Sequence, residues 1–234
     1  MKIIPAIDLI DGESVRLKQG AYEEKSKMPR SPQEAVAFYS QYSQVTRIHV
    51  VDLMGAKDQT TPEASLVGQL KQLTDVPLEI GGGLRELENL KHYDELGIDY
   101  FILGTRAIMD VVWLKEMVAL YPGRIYVGID AKAEAIYIDG WTKDSGREIN
   151  EYLEEIESFD LAGIIYTDIA KDGMEQGPNV QRTADLQKST RHTVVASGGV
   201  RNQADLTQLE AAGIQEAVVG KAANTDAFWE GLSE

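Results

Sequence analysis

The chain of 234 residues is 43% hydrophobic, carries a formal net charge of −15 and contains no cysteine. That charge opposes nonspecific nucleic-acid binding, which needs clustered Lys and Arg, and the missing thiols exclude disulfides and thiolate metal sites. No run approaches the roughly 18 apolar residues that span a membrane, and the N-terminal segment lacks the apolar stretch of a signal peptide; a cytoplasmic protein without membrane or nucleic-acid partners is expected.

Short β-branched runs predict strands at residues 3–7, 47–51, 78–80, 100–103, 125–129, 162–166, 193–196 and 217–219, with amphipathic helical patterns between them. After the first strand, Ser14-Val15-Arg16-Leu17-Lys18 alternates and predicts a short ribbon over the strand ends. Ser31-Pro32-Gln33-Glu34 reads as a helix start, with an N-cap serine, proline at the first helical position and a glutamate closing a capping box. Thr61-Pro62-Glu63 repeats the threonine-then-proline form and predicts a second start. Trp113, Leu114, Met117, Val118 and Tyr121 recur at the spacing of a helix packed on a sheet. Beyond the fifth strand, Ala135-Ile136-Tyr137-Ile138 alternates within an insertion that carries Gly140-Trp141-Thr142.

The second half repeats the first. Asp52 and Asp168, Gly83 and Gly199, Arg85 and Arg201, and Gly104 and Gly220 are all 116 positions apart. Four strand–helix units copied once make eight, and eight closes a ring. The expected fold is therefore α/β, a (β/α)8 TIM barrel built from two half-barrels, roughly 1–122 and 123–234. Leu120-Tyr121-Pro122-Gly123 is too short to join independent domains, so a single domain is expected. An open doubly wound sheet is the competing architecture, and the duplication decides against it.

In such barrels the chemistry sits at the C-terminal ends of the strands. There the chain offers Asp8, Asp52, Gly81-Gly82-Gly83 and Gly104-Thr105, then Asp130, Thr167-Asp168, Ser197-Gly198-Gly199 and Gly220-Lys221. A glycine-rich turn after a strand can cradle phosphate with backbone N–H groups; alone it can equally be a tight turn needing positive φ. Matched turns in both halves point to a small-molecule ligand with a phosphate at each end. Asp8 and Asp130 each follow an isoleucine expected inside the barrel. As a pair across one mouth they suit a reaction that donates one proton and removes another; singly, each could cap a turn. Arg16 has two readings, mouth or solvated strand face, and Lys171-Asp172-Gly173 reads by composition as a surface turn. Trp141 could stack on a heterocycle or staple its loop. His49, His92 and His192 read as structural or surface residues, and no metal is expected. The glycine-punctuated loops 11–30 and 132–147 are expected to close over a ligand.

Several of these motifs carry a likeness. Ile4-Pro5-Ala6-Ile7-Asp8-Leu9-Ile10-Asp11-Gly12 through Val15-Arg16-Leu17, His49-Val50-Val51-Asp52-Leu53, and residues 80–85 resemble the histidine-biosynthesis isomerases acting on phosphoribosylformimino-aminoimidazole carboxamide ribotide. Residues 127–130, 166–173 and 196–201 extend the resemblance over the whole chain, and the opening motif differs from that of the sister cyclases. The resemblance implies an Amadori rearrangement of an aminoaldose to an aminoketose on a substrate with two phosphates, without a cofactor. It implies Asp8 as proton acceptor, Asp130 as donor, and Thr167 and Asp172 as supporting groups. Arg16, Arg85, Thr105, Trp141, Ser197, Lys221 and the rim glycines are expected to hold the substrate, and a monomer is expected. The chain departs from the family pattern at Met54, where an aspartate is usual, and over the charged stretch 21–30. A bifunctional enzyme that also isomerises phosphoribosyl anthranilate, and a non-catalytic sugar-phosphate-binding barrel, stay open.

Overall fold

The computed structural model describes residues 1–18, 21–58, 60–174 and 176–232. The first half runs β1 (Lys2–Ile10), β2 (Glu13–Lys18), β3 (Ala21–Lys27), α1 (Pro32–Tyr39), β4 (Ile48–Asp52), α2 (Leu53–Asp58), α3 (Ala64–Lys71), β5 (Leu78–Gly81), α4 (Leu87–Glu95), β6 (Tyr100–Leu103), α5 (Thr105–Met109) and α6 (Val111–Leu120). The second runs β7 (Ile125–Lys132), β8 (Ala135–Ile138), β9 (Lys143–Glu148), α7 (Ile149–Ile156), β10 (Gly163–Asp168), α8 (Val180–Ser189), β11 (Val194–Ser197), α9 (Gln203–Ala211), β12 (Glu216–Val219), a 3-10 turn (Lys221–Asn224) and α10 (Asp226–Glu230). Parallel pairing carries β1 through β4, β5, β6, β7, β10, β11 and β12 back to β1. This is the closed eight-stranded barrel that the duplication predicts.

Each half opens with the same device. Its first strand overruns the ring and folds back antiparallel, β1 into β2 and β3, and β7 into β8 and β9. The ribbon predicted at Arg16 and the insertion before Trp141 are these two hairpins. Of the long loop expected at 11–30, residues 19 and 20 lie outside the described residues.

Strand periodicity sorts side chains between two cores. Ile4, Tyr126, Ile165, Val195 and Val218 fill the barrel interior. Ile3, Ile7, Leu9, Ile129 and Ile164 face outward into the larger core under the helices. The expectation that Ile7 and Ile129 sit inside the barrel is therefore wrong: with alternating faces, an inward Asp8 or Asp130 turns the preceding isoleucine outward. α7 buries Ile149, Tyr152, Leu153 and Ile156, and each fully buried aliphatic side chain stabilises by about 1.5–3 kcal/mol. The Tyr152 hydroxyl donates to the Ala107 carbonyl at 2.9 Å, so that burial leaves no unmet donor. Trp113, Leu114, Met117, Val118 and Tyr121 are all buried, as their spacing predicts.

Of the two predicted helix starts, one forms as read. Ser31 Oγ accepts from Glu34 N at 3.2 Å while Ser31 N donates to Glu34 Oε2 at 2.8 Å, a complete capping box. At the other, Pro62 stays in a turn and α3 begins at Ala64. The reason is tertiary: Glu63 N donates to Asp52 Oδ2 at 3.1 Å, and Glu63 Oε1 accepts from Gly12 N at 3.0 Å.

Candidate active site

A cavity of about 1070 Å³ opens at the C-terminal ends of the barrel strands. Every residue expected to react with or hold the substrate lines it, including the glycines of both rims, whereas Asp52 and Asp168, also at strand ends, do not. Asp8 comes from β1 and Asp130 from β7, which stand four strands apart in the ring of eight and so face each other. Beneath them, small Ala6 and Gly128 keep the centre open.

Burial pushes both carboxyls above their ordinary values. At Asp8 the nearby Asp172 adds to the rise, and Arg16, with Nη1 3.5 Å from Oδ2, opposes it. At Asp130 the side chains of Trp141 and Thr167, polar groups beside the carboxyl, and His49 oppose the rise, while Asp172 adds to it. Thr167 is the residue of β10 in register with Asp130 on β7. Arg16 also binds Asp172 through Nη2 at 2.7 Å, so Lys171-Asp172-Gly173 is no surface turn. The Arg16 Nε is buried without a partner among the described residues, one unmet donor close to the acids.

The two rims share backbone geometry. Gly82 and Gly83 have φ of +96° and +75°, and Gly198 and Gly199 have +91° and +86°. A Cβ on Gly82 would lie 2.1 Å from the Asp52 carbonyl oxygen, and one on Gly199 would lie 2.5 Å from that of Gly177. Both the left-handed conformation and the close approach demand glycine. Asp52 and Asp168 brace the chain behind these turns. Asp52 accepts from Gly55 N at 2.7 Å, and Asp168 accepts from Ala170 N at 2.9 Å and Asn179 Nδ2 at 2.7 Å. Gly104 and Gly220 make the same bend, with ψ of −107° in each, ahead of Thr105 and Lys221.

The β8–β9 turn bends into the mouth. Asp139, Gly140 and Trp141 are successive left-handed residues, with φ of +53°, +64° and +70°. For a bulky residue such as Trp141 this conformation costs roughly 1–3 kcal/mol and persists only where contacts hold it.

Sequence reasoning missed His49. It lines the cavity, and its Nδ1 lies 2.6 Å from Glu79 Oε1. The signal was available in the alternation of Arg47, His49 and Val51, which sends all three to one face. Below it, Arg47 binds Glu79 and, at 2.6 Å, Glu216, forming a charged layer at the base of the barrel. Arg201 and Asp139 also line the cavity unforeseen as ligand-facing groups. Met54 packs with Ile10, Val15 and Leu17 under the first ribbon, and the Tyr22 hydroxyl latches that ribbon to the Leu53 carbonyl at 2.7 Å. Among the described residues, no group of three or more His, Asp or Glu could hold a metal ion, and no helix is long and apolar enough to cross a membrane. Residues 2–228 match the family model described as histidine biosynthesis protein.

Proposed function

We propose an intramolecular aldose–ketose isomerisation for this chain, which belongs to the histidine biosynthesis protein family. The substrate is the aminoaldose phosphoribosylformimino-aminoimidazole carboxamide ribotide, and the product is its aminoketose. One observation carries the reading: two aspartates of raised pKa, one from each half, face a shared cavity between matched glycine rims. A ligand with a phosphate at each end spans such a mouth and brings its sugar between the acids.

The chemistry follows from the two environments. Asp130, whose hold on its proton burial strengthens, donates to the furanose ring oxygen; the C1–O bond breaks and the nitrogen lone pair forms an iminium at C1. Asp8, held nearer to ionisation by Arg16, removes the proton from C2, and the electron pair left behind neutralises the iminium as an enolamine. Transfer of the C2 hydroxyl proton and protonation at C1 complete the ketone. Atoms and electrons balance within the substrate, so no co-reactant enters. Thr167 orients Asp130, and Asp172 orients Arg16. Trp141 offers its ring to the imidazole carboxamide.

The test is direct assay of purified protein with the aminoaldose, following aminoketose by chromatography. Turnover that falls by about 10²–10⁴ in both Asp8→Asn and Asp130→Asn is expected. Near-normal turnover in either variant removes that role. Two parallel arms use phosphoribosyl anthranilate, and the aminoketose with ammonia. Activity in the second without isomerisation would make the chain a cyclase.

A further inference from the structure

Arg85 and Arg201 occupy equivalent points of the duplicated rims, 116 positions apart, and both line the cavity. Their guanidinium groups are held differently. Arg201 is pinned to its own helix, with Nε 2.9 Å from Asp205 Oδ2 and Nη2 2.8 Å from Asp205 Oδ1. In the first half the residue 116 positions before Asp205 is Asn89. Its Oδ1 accepts from the backbone N–H groups of Arg85 at 3.3 Å and Glu86 at 3.0 Å, and it carries no charge to retain the guanidinium. Arg85 instead reaches across the mouth, where Nη2 meets Asp139 Oδ1 at 3.0 Å.

Asp139 is attached to this rim twice, because its backbone N–H also donates to Thr105 Oγ1 at 3.0 Å. A carboxylate of the β8–β9 turn thus sits where the first-half rim offers a cation and a hydroxyl. The same turn is wound through three successive left-handed residues and ends at Trp141, which lines the cavity with Asp130 and opposes the rise in its pKa.

We propose that Asp139 is a resident stand-in for phosphate at the first-half rim: a phosphate arriving there takes Arg85, displaces Asp139 and releases the turn that holds Trp141 on Asp130. This rests on the reading of the mouth as a bisphosphate site and adds its specificity step. A phosphate carries more charge than a carboxylate and more acceptor oxygens for a guanidinium, so it wins the exchange, and like charge keeps Asp139 from staying beside it. At the second-half rim the carboxylate that holds Arg201 belongs to α9, so exchange there moves no mouth loop. A ligand with one phosphate seated at the second rim leaves Trp141 on the acid. Discrimination for two phosphates then arises from the release of the turn as well as from binding.

The experiment is titration of the full chain with inorganic phosphate, read by tryptophan fluorescence, with W141F as the blank for Trp113 and Trp229. A saturable change that is absent from W141F is expected. D139N should bind phosphate about three- to tenfold more tightly, with unliganded emission already close to the phosphate-loaded wild type. N89D gives Arg85 a carboxylate on its own helix and should bind about threefold more weakly. Unchanged affinity in both variants, weaker binding by D139N, or binding without any change in Trp141 emission overturns the proposal. A wild-type protein that responds to phosphate but fails to isomerise the aminoaldose would lose the proposed reaction and keep this gate.

Discussion

Arg16 Nη2 lies 2.7 Å from Asp172 Oδ1, so a residue of the first-half ribbon is clamped by a loop of the second half. The same guanidinium faces Asp8 and is the main group opposing the rise in its pKa. The ribbon therefore tunes the proposed base as well as covering it.

Arg16→Gln removes that opposition while Asp172 remains, so the Asp8 carboxyl rises further. A base works only when ionised, and the acid limb of the pH–rate profile reports its titration. That limb should move to higher pH, with kcat/KM at pH 6 about ten- to hundredfold lower. Arg16→Lys should recover part of the loss. An acid limb that stays in place in Arg16→Gln would separate Arg16 from Asp8.

Asp130→Asn tests a stability consequence of the same burial. A carboxyl whose pKa is raised on folding binds its proton more tightly in the native state, so its contribution is fully present below the unfolded pKa. It is lost as pH rises through the folded pKa. At pH 8 the wild type carries the cost of a buried charge and the amide does not. Asp130→Asn should therefore melt higher than wild type at pH 8, with the gain fading towards pH 4. A lower melting temperature at both pH values would contradict the assignment.

Gly82→Ala and Gly198→Ala place the same change at equivalent rim positions with unequal room. The added Cβ would lie 2.1 Å from Asp52 O in the first and 3.3 Å from Asp168 O in the second. Both also meet a left-handed backbone, with φ of +96° and +91°. Urea unfolding should show losses of about 3 kcal/mol or more for Gly82→Ala and about 1–2 kcal/mol for Gly198→Ala. Equal losses would mean that the rims yield alike.

Arg47→Met leaves Glu79 and Glu216 without their shared cation at the barrel base, where Arg47 and Glu79 are 5% and 0% exposed. Removing one partner of such a buried network costs about 3–5 kcal/mol. Burial alone would raise the Glu216 carboxyl, but Arg47 and Lys2 override it and hold it low. Stability from a depressed carboxylate is present above its unfolded pKa and is lost as pH falls through the folded pKa. The deficit of Arg47→Met, measured by denaturant titration, should be largest near pH 7 and narrow in acid. A deficit independent of pH would assign the loss to packing.

The amino-acid sequence alone specifies the ring, the rims and the pair of acids, one in each half, because those depend on local or repeated chemistry. Glycines forced to positive φ, the capping box at Ser31 and the strand period are written into neighbouring residues, and the 116-residue repeat supplies the closure. Period two was also sufficient to turn Ile7 and Ile129 outward and to bring His49 inward. Partners across the mouth are another matter. Arg16 with Asp172 and Arg85 with Asp139 join groups whose separation along the chain carries no period. Only closure of the barrel brings such charges within hydrogen-bond distance, and there desolvation and geometry decide which guanidinium each carboxylate holds.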